Sequence, residues 1–280
     1  IVEGRELPLQ IGPGIKKKPV NTRHYTGQDK KIPDSIHYNN TYLPADTRKL
    51  QFAEIDNFSL KLNKYARFET SGKSGKFEFY KTNKGREQFR IQPYFGDFHF
   101  HEFNHQYQEN IKKLEQINII IRSVSYKPAW RLVVGLGNES VYETSMTLHH
   151  IYGFPYIPGS AVKGAVRSMV ICTYFDKIEG NRTTGAFNDS GFCHIFGSPA
   201  ESCTGEHIGS VIFFDAYPAE KPQIAPDIIN PHYSPYYADE SHRTPPADYH
   251  DPVPVFFLTI KNTQFDFTIG IKKKDNHPIE

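Results

Sequence analysis

Three groups of residues have the types and spacing to do chemistry. Ser160, Lys163 and Arg167 follow Pro158-Gly159 at the start of a helical pattern. The first N–H groups of a helix lack intrahelical partners and sit at its positive end, so phosphate is a natural ligand there. Gly159 allows close backbone approach, and Lys163 and Arg167 bring cationic charge nearby. In the second group, His99, His101 and His105 gather beside Glu102. On a strand, His-x-His points both rings to one face, and imidazole is a common zinc ligand. Cys193, Cys203 and His207 form the third, but their spacing fits no standard zinc pattern. Solvated and core positions account for both sets, so no metal is assigned. Gly135-Leu-Gly137 lacks the third glycine of a dinucleotide fingerprint, and no GxxxxGK[ST] run exists. No cofactor is assigned either.

These residues need elements to position them. Ser160 reads as an N-cap, with a helix over 161–174. Val162, Ala165, Val166, Met169 and Val170 recur at three and four, which marks one buried face. A β-rich run over 130–135 reads as the clearest strand, followed by a loop over 135–145 that contains Asn138. A second strand is expected over 209–215. Val255 to Ile260 and Gln264 to Ile269 read as a hairpin. Residues 77–80 and 89–91 read as a basic hairpin turning at Lys84-Gly85. Residues 106–122 read as a helix whose β-branched end, Ile119-Ile120-Ile121, is ambiguous. Residues 218–254, rich in proline and tyrosine, read as an extended excursion without regular ladders. Residues 1–60 read as an irregular arm.

The chain has 280 residues, 38% of them hydrophobic and 14% aromatic, with a net charge of only +2. Buried rings can build a core from few aliphatics, and exposed rings can stack on unpaired bases. Charge is unevenly spread. Residues 61–90 hold nine basic and three acidic residues, while 201–280 hold twelve acidic and six basic ones. Such a chain suits a polyanion on one face and a basic neighbour on another. Lys73, Lys76, Lys84 and Arg86 are the basic-segment residues best placed to meet a polyanion. Three cysteines do not make a disulfide framework and point to a reducing compartment. No apolar run approaches the roughly 20 residues of a membrane span. The expected location is cytoplasmic.

Three ordered blocks resemble a known family. Tyr156-Ile-Pro-Gly-Ser-Ala-Val-Lys-Gly-Ala-Val-Arg167 resembles the PGSxxKGxxR signature of the RAMP superfamily. Ile195-Phe-Gly197 with Gly209-Ser-Val-Ile-Phe-Phe-Asp-Ala216 resembles the next turn and strand of that family. Leu132-Val-Val-Gly-Leu-Gly-Asn-Glu-Ser140, Asp227-Ile-Ile-Asn-Pro-His-Tyr233 and Pro252-Val-Pro-Val255 look like its sixth-subunit branch in type III-B (Cmr) CRISPR effector complexes. The glycine-rich loop that usually follows a last helix in the family is not seen before Glu280.

The resemblance implies an α+β fold. Its core is an RRM-like (ferredoxin-like) RAMP domain, placed over 121–280 with a Pro/Tyr-rich insertion. Residues 1–120 match no motif of the family and read from their own composition as an irregular extension with a basic hairpin-like segment. It implies a non-catalytic subunit that holds the guide RNA backbone near its 3′ end, and the guide–target duplex, in antiviral defence. The implied partners are guide crRNA, target RNA, other RAMP subunits and a large polymerase-like subunit. The expected RNA contacts are Gly159, Ser160, Lys163, Arg167, Asn138, His149 and His150, with the basic-segment residues named above. One alternative within the family is a guide-processing endoribonuclease, with His149 or His150 as general base on a 2′-hydroxyl beside Tyr152. Another, outside it, is a protein scaffold that touches no RNA.

Overall fold

The structure is a computed structural model that describes Thr47 and residues 55–66, 68–71, 74–83, 86–241, 243–247, 249 and 251–272. The chain divides into two units, Ile1–Ile36 and His37–Glu280, and every described residue lies in the second. A π-helical turn, Leu60–Lys64, comes first. Two short antiparallel pairs follow: β1 (Phe68–Ser71) with β2 (Ser74–Phe77), and β3 (Tyr80–Asn83) with β4 (Arg86–Phe89). Then come α1 (Phe100–Lys112), a 3₁₀ turn (Lys113–Ile117) and β5 (Ile119–Tyr126). Next are α2 (Gly159–Tyr174), α3 (Ser190–Phe196), β6 (Gly197–Ser198), β7 (His207–Ile208), β8 (Val211–Phe213) and β9 (Tyr217–Pro218). The series ends with β10 (Gln223–Ile229), α4 (Ser234–Ala238), β11 (Val255–Lys261) and β12 (Phe265–Lys272).

The largest sheet among the described residues has the order β5-β12-β8, with β9 also paired to β12, all antiparallel. Its two faces follow from register. Ser123, Thr268 and Gly270 share a face with Ile119, Ile121 and Ile212. There α1 packs through Tyr107 and Ile111, and Gln108 hydrogen bonds to Thr268. On the other face, α2 and α3 cover β8, where Ile171, Phe192 and Phe196 meet Phe213.

The main core is built largely of rings. Phe58, Phe95, Phe100, Phe154 and Phe265 pack with Ile91, Ile157, Leu258 and Ile260. Edge-to-face pairs such as Phe58–Phe95, with centroids 5.9 Å apart, are typical. This core draws residues from both sides of position 120. Among the described residues, no helix is long and apolar enough to cross a membrane.

Several expectations change. The helix begins at Phe100 rather than 106 and ends well before 122. Asn118, with φ of 60°, takes the left-handed conformation that stops a helix, and Ile119-Ile120-Ile121 enter β5. The stretch 130–135 makes a single bridge, Leu132 to Ile260, rather than a full strand. The strands β11 and β12 form, but not as a hairpin: β11 pairs with β10, and β12 with β5 and β8. The Pro/Tyr-rich excursion does contain a ladder, β10, with Pro226 opposite Leu258. An edge strand tolerates a proline because its outer N–H positions need no partner. The predicted buried face of α2 is only partly buried. Val162 and Val170 are half-buried and Ala165, Val166 and Met169 are exposed, while Gly159 and Ile171 are the buried positions.

Candidate nucleic-acid interface

The start of α2 is held by an internal anion. The Gly159 N–H donates to Asp215 Oδ1 at 2.7 Å. Carboxylates are favoured at a helix N-terminus, as phosphates are. Asp215 follows β8 directly and lies within a set of phenols. The Tyr217 hydroxyl donates to its Oδ2 at 3.5 Å, and the Tyr107 hydroxyl to its backbone carbonyl at 3.1 Å. Burial, and then the Asp215 charge, push the Tyr217 hydroxyl up to about 12. Burial raises Tyr107 and Tyr156 as well. All three phenols therefore stay protonated near neutral pH.

The four residues expected on this helix divide into two pairs. Gly159 is buried, and a Cβ there would lie 2.1 Å from the Phe213 carbonyl oxygen. The close approach that Gly159 permits is thus to β8. Arg167 pairs with Glu179 and lies over the rings of Phe187 and Phe192, at 5.5 and 5.3 Å. Ser160 is exposed as the second helical residue, and Pro158 rather than Ser160 is the N-cap. Lys163 is half-buried and has no ion-pair partner among the described residues. Ser160 and Lys163 are three apart, so they share one side of the helix.

His149 and His150 stack, with centroids 5.2 Å apart and planes within 9°. His149 also stacks on Tyr152 and Phe154, at 4.8 and 5.6 Å. Its Nδ1 accepts from the N–H groups of Ile151 and Tyr152, both at 3.3 Å. That places the ring proton on Nε2 and engages the lone pair a general base would need. Burial lowers the His149 pKa, His150 lowers it further, and Asp215 opposes both. His150 is exposed at the end of the stack.

A pH dependence follows from His149. A lowered folded-state pKa means that the unfolded chain binds the proton more readily. Stability is therefore full above the ordinary histidine value of about 6.5 and declines as pH falls toward the lower folded value. Urea unfolding between pH 8 and 5 should show that decline, and His149→Gln should flatten it. An equally steep decline in the variant would assign the effect to other groups.

Asn138 lies in a groove of about 620 Å³ of mixed lining, with Lys64, Asn63 and Thr147 beside Glu139, Val141 and Leu148. Gly135, with φ of 79°, makes the turn that starts this loop. Lys64 was not singled out by its sequence context. The π-helical turn sets it at the groove, and only the fold brings it to Asn138.

The remaining expected residues lie elsewhere. Lys76 is on β2 and Arg86 on β4, with side chains outside the described residues, as are Lys73 and Lys84 entirely. His99 precedes α1, and His101 and His105 are on it, so they are helical rather than on a strand. All three are exposed. The Cys193 thiol donates to the Phe187 carbonyl at 3.7 Å, and His207 Nδ1 lies 3.0 Å from Ser198 Oγ. Among the described residues, no three His, Cys, Asp or Glu side chains are grouped to hold a metal ion.

Comparison with known proteins adds to this geometry. The RAMP superfamily model matches residues 131–277, which include α2, Asp215 and the groove loop. The chain is 33% identical over 221 residues to the CRISPR system Cmr subunit Cmr6 of Pyrococcus furiosus, covering 60% of this chain and 62% of that protein. It is 28% identical over 177 residues to the corresponding Cmr6 of Saccharolobus solfataricus, covering 61% and 53%. The chain thus spans less than two thirds of either relative. Among solved structures, a chain of the type III-B Cmr-beta bound to cognate target RNA is 26% identical, with a TM-score of 0.46 and coverage of 62% and 54%. The crystal structure of Pyrococcus furiosus Cmr6 is 32% identical, with a TM-score of 0.32 and coverage of 56% and 84%.

Proposed function

The chain belongs to the RAMP superfamily, and we propose that within it this protein is a non-catalytic, RNA-holding subunit of a type III-B CRISPR effector complex in the cytoplasm. It holds the guide RNA backbone near its 3′ end and the guide–target duplex, beside other RAMP subunits and a large polymerase-like subunit. Its RAMP domain is RRM-like, an antiparallel sheet with helices packed on it. The observation that supports this reading best is the 33% identity to Cmr6 across 221 residues. The site chemistry agrees with it. Ser160, Lys163, Asn138, Lys64 and His150 offer donors, charge and a ring. A guide that reads sequence by base pairing needs only backbone contacts from protein. The endoribonuclease alternative loses His149 as its base, because that lone pair is already engaged, and rests on the exposed His150 alone.

Purification of the tagged chain from its host, with sequencing of bound RNA and mass spectrometry of partners, tests the reading. Mature guide RNAs with other RAMP subunits are expected. Recovery of the chain alone with cleaved repeat fragments would overturn it. Lys163→Ala should weaken binding equally for any guide sequence and lower the salt slope by about one phosphate contact. Titration of guide RNA at several salt concentrations reads both effects. A loss that depends on guide sequence would count against backbone holding.

A further inference from the structure

The main sheet is open along its edge strand β5. On the face opposite α1, the helices α2 and α3 cover β8, and Phe265 and Phe267 on β12 join the main core. The β5 side of that face is exposed. Register places Arg122, Val124 and Tyr126 there, opposite Ile269, Phe267 and Phe265. Val124 is 64% and Tyr126 57% exposed. Just beyond the strand, Trp130 is 79% exposed, and it is the single tryptophan of the chain.

Along the chain the charge near these rings is of one sign, although Asp266 on the neighbouring strand accepts a hydrogen bond from Ser125. Residues 116–138 contain Arg122, Lys127 and Arg131 and no Asp or Glu. Arg131 is engaged with the Pro226 carbonyl and Asp227. Arg122 and Lys127 have no ion-pair partner among the described residues. Arg122 and Tyr126 are four residues apart on one strand, so about 13 Å separates them along one face. Cations interleaved with exposed rings fit a flexible polyanion whose bases have π-faces.

We propose that the open β5 edge is a second RNA contact, at which Trp130 and Tyr126 stack unpaired bases while Arg122 and Lys127 meet phosphates. This rests on the RNA-holding reading above and adds to it a single-stranded segment. Arg122 and Tyr126 lie on the sheet face opposite α1, and Lys127 and Trp130 follow directly along the chain. Among the described residues Arg131 is ion-paired and Arg122 donates to the Ile121 carbonyl, while Lys127 has neither kind of partner.

The single tryptophan makes the test specific. The full chain is titrated with an end-labelled oligouridylate while the anisotropy of the label and the indole fluorescence are both followed. Saturable quenching that tracks the anisotropy is expected. Trp130→Ala should weaken binding roughly five- to hundredfold, and Trp130→Phe should retain most of it. Lys127→Ala should lower the salt slope by about one. Unchanged urea midpoints would show that the variants fold. Binding that leaves the indole signal and the Trp130→Ala affinity unchanged would overturn this inference and leave the RNA-holding reading intact. Absence of any binding would overturn this inference alone, because the guide-holding reading is tested on the complex purified from its host. Normal RNA binding by Trp130→Ala, with loss of partner subunits on purification, would make this a protein-docking surface instead.

Discussion

Gly159→Ala is expected to destabilise the protein by roughly 3 kcal/mol, at the upper end of the usual overpacking cost. The added methyl would lie 2.1 Å from the Phe213 carbonyl oxygen and 2.9 Å from its carbonyl carbon. Both are backbone atoms of β8, which β12 holds in register. Rotation of a side chain cannot relieve the clash. Either α2 lifts off the sheet or β8 shifts, and the Gly159–Asp215 bond lengthens in both cases. Gly164 is the internal control, because a Cβ there meets nothing within 4 Å. Gly164→Ala should be stabilising by about 0.5–1 kcal/mol through helix propensity alone. Urea unfolding of the two variants should therefore give opposite signs. A neutral Gly159→Ala would mean that α2 does not approach β8 so closely.

Phe154→Ala should cost more, roughly 3–5 kcal/mol. Phe154 is fully buried, with Phe98, Phe100 and Phe103 at centroid distances of 5.0, 5.1 and 5.5 Å. Tyr152 lies parallel to it at 5.7 Å, and His149 stacks at 5.6 Å. Its removal leaves a cavity among rigid rings that collapse poorly. The His149 stack loosens with it. The variant should show a lower urea midpoint at an unchanged m-value, together with a weaker loss of stability at acid pH. A cost below about 1 kcal/mol would mean that the neighbouring rings close the gap.

Local pattern made some of this legible and distance hid the rest. The existence of α2 and of the strands β8 and β12 follows from periodicity and β-branched runs, although the cap is Pro158 and not Ser160. The partners of those elements do not. Asp215, which accepts from Gly159 across 56 positions, reads in sequence as an acid at the end of a strand. Arg167 reads as a phosphate ligand until Glu179 and two rings are found beside it. Val255 to Ile260 and the run after Lys261 look like a hairpin because nothing local reveals that each strand belongs to a different sheet. The segment 130–135 has strand composition, but its single β-bridge is to Ile260. Trp130 carries no spacing signal, and its exposure is a property of the fold alone.

The long interval between β5 and β12 also sets the order in which this chain can be made. Roughly 150 residues separate the starts of the two strands, which takes on the order of ten to thirty seconds at about 5–20 residues per second. During that time Ile119, Ile120 and Ile121 are outside the ribosome without their strand partner. An unpaired β-branched edge is a template for pairing with another chain. Slower translation lengthens that exposure, and dense polysomes place a second copy beside it.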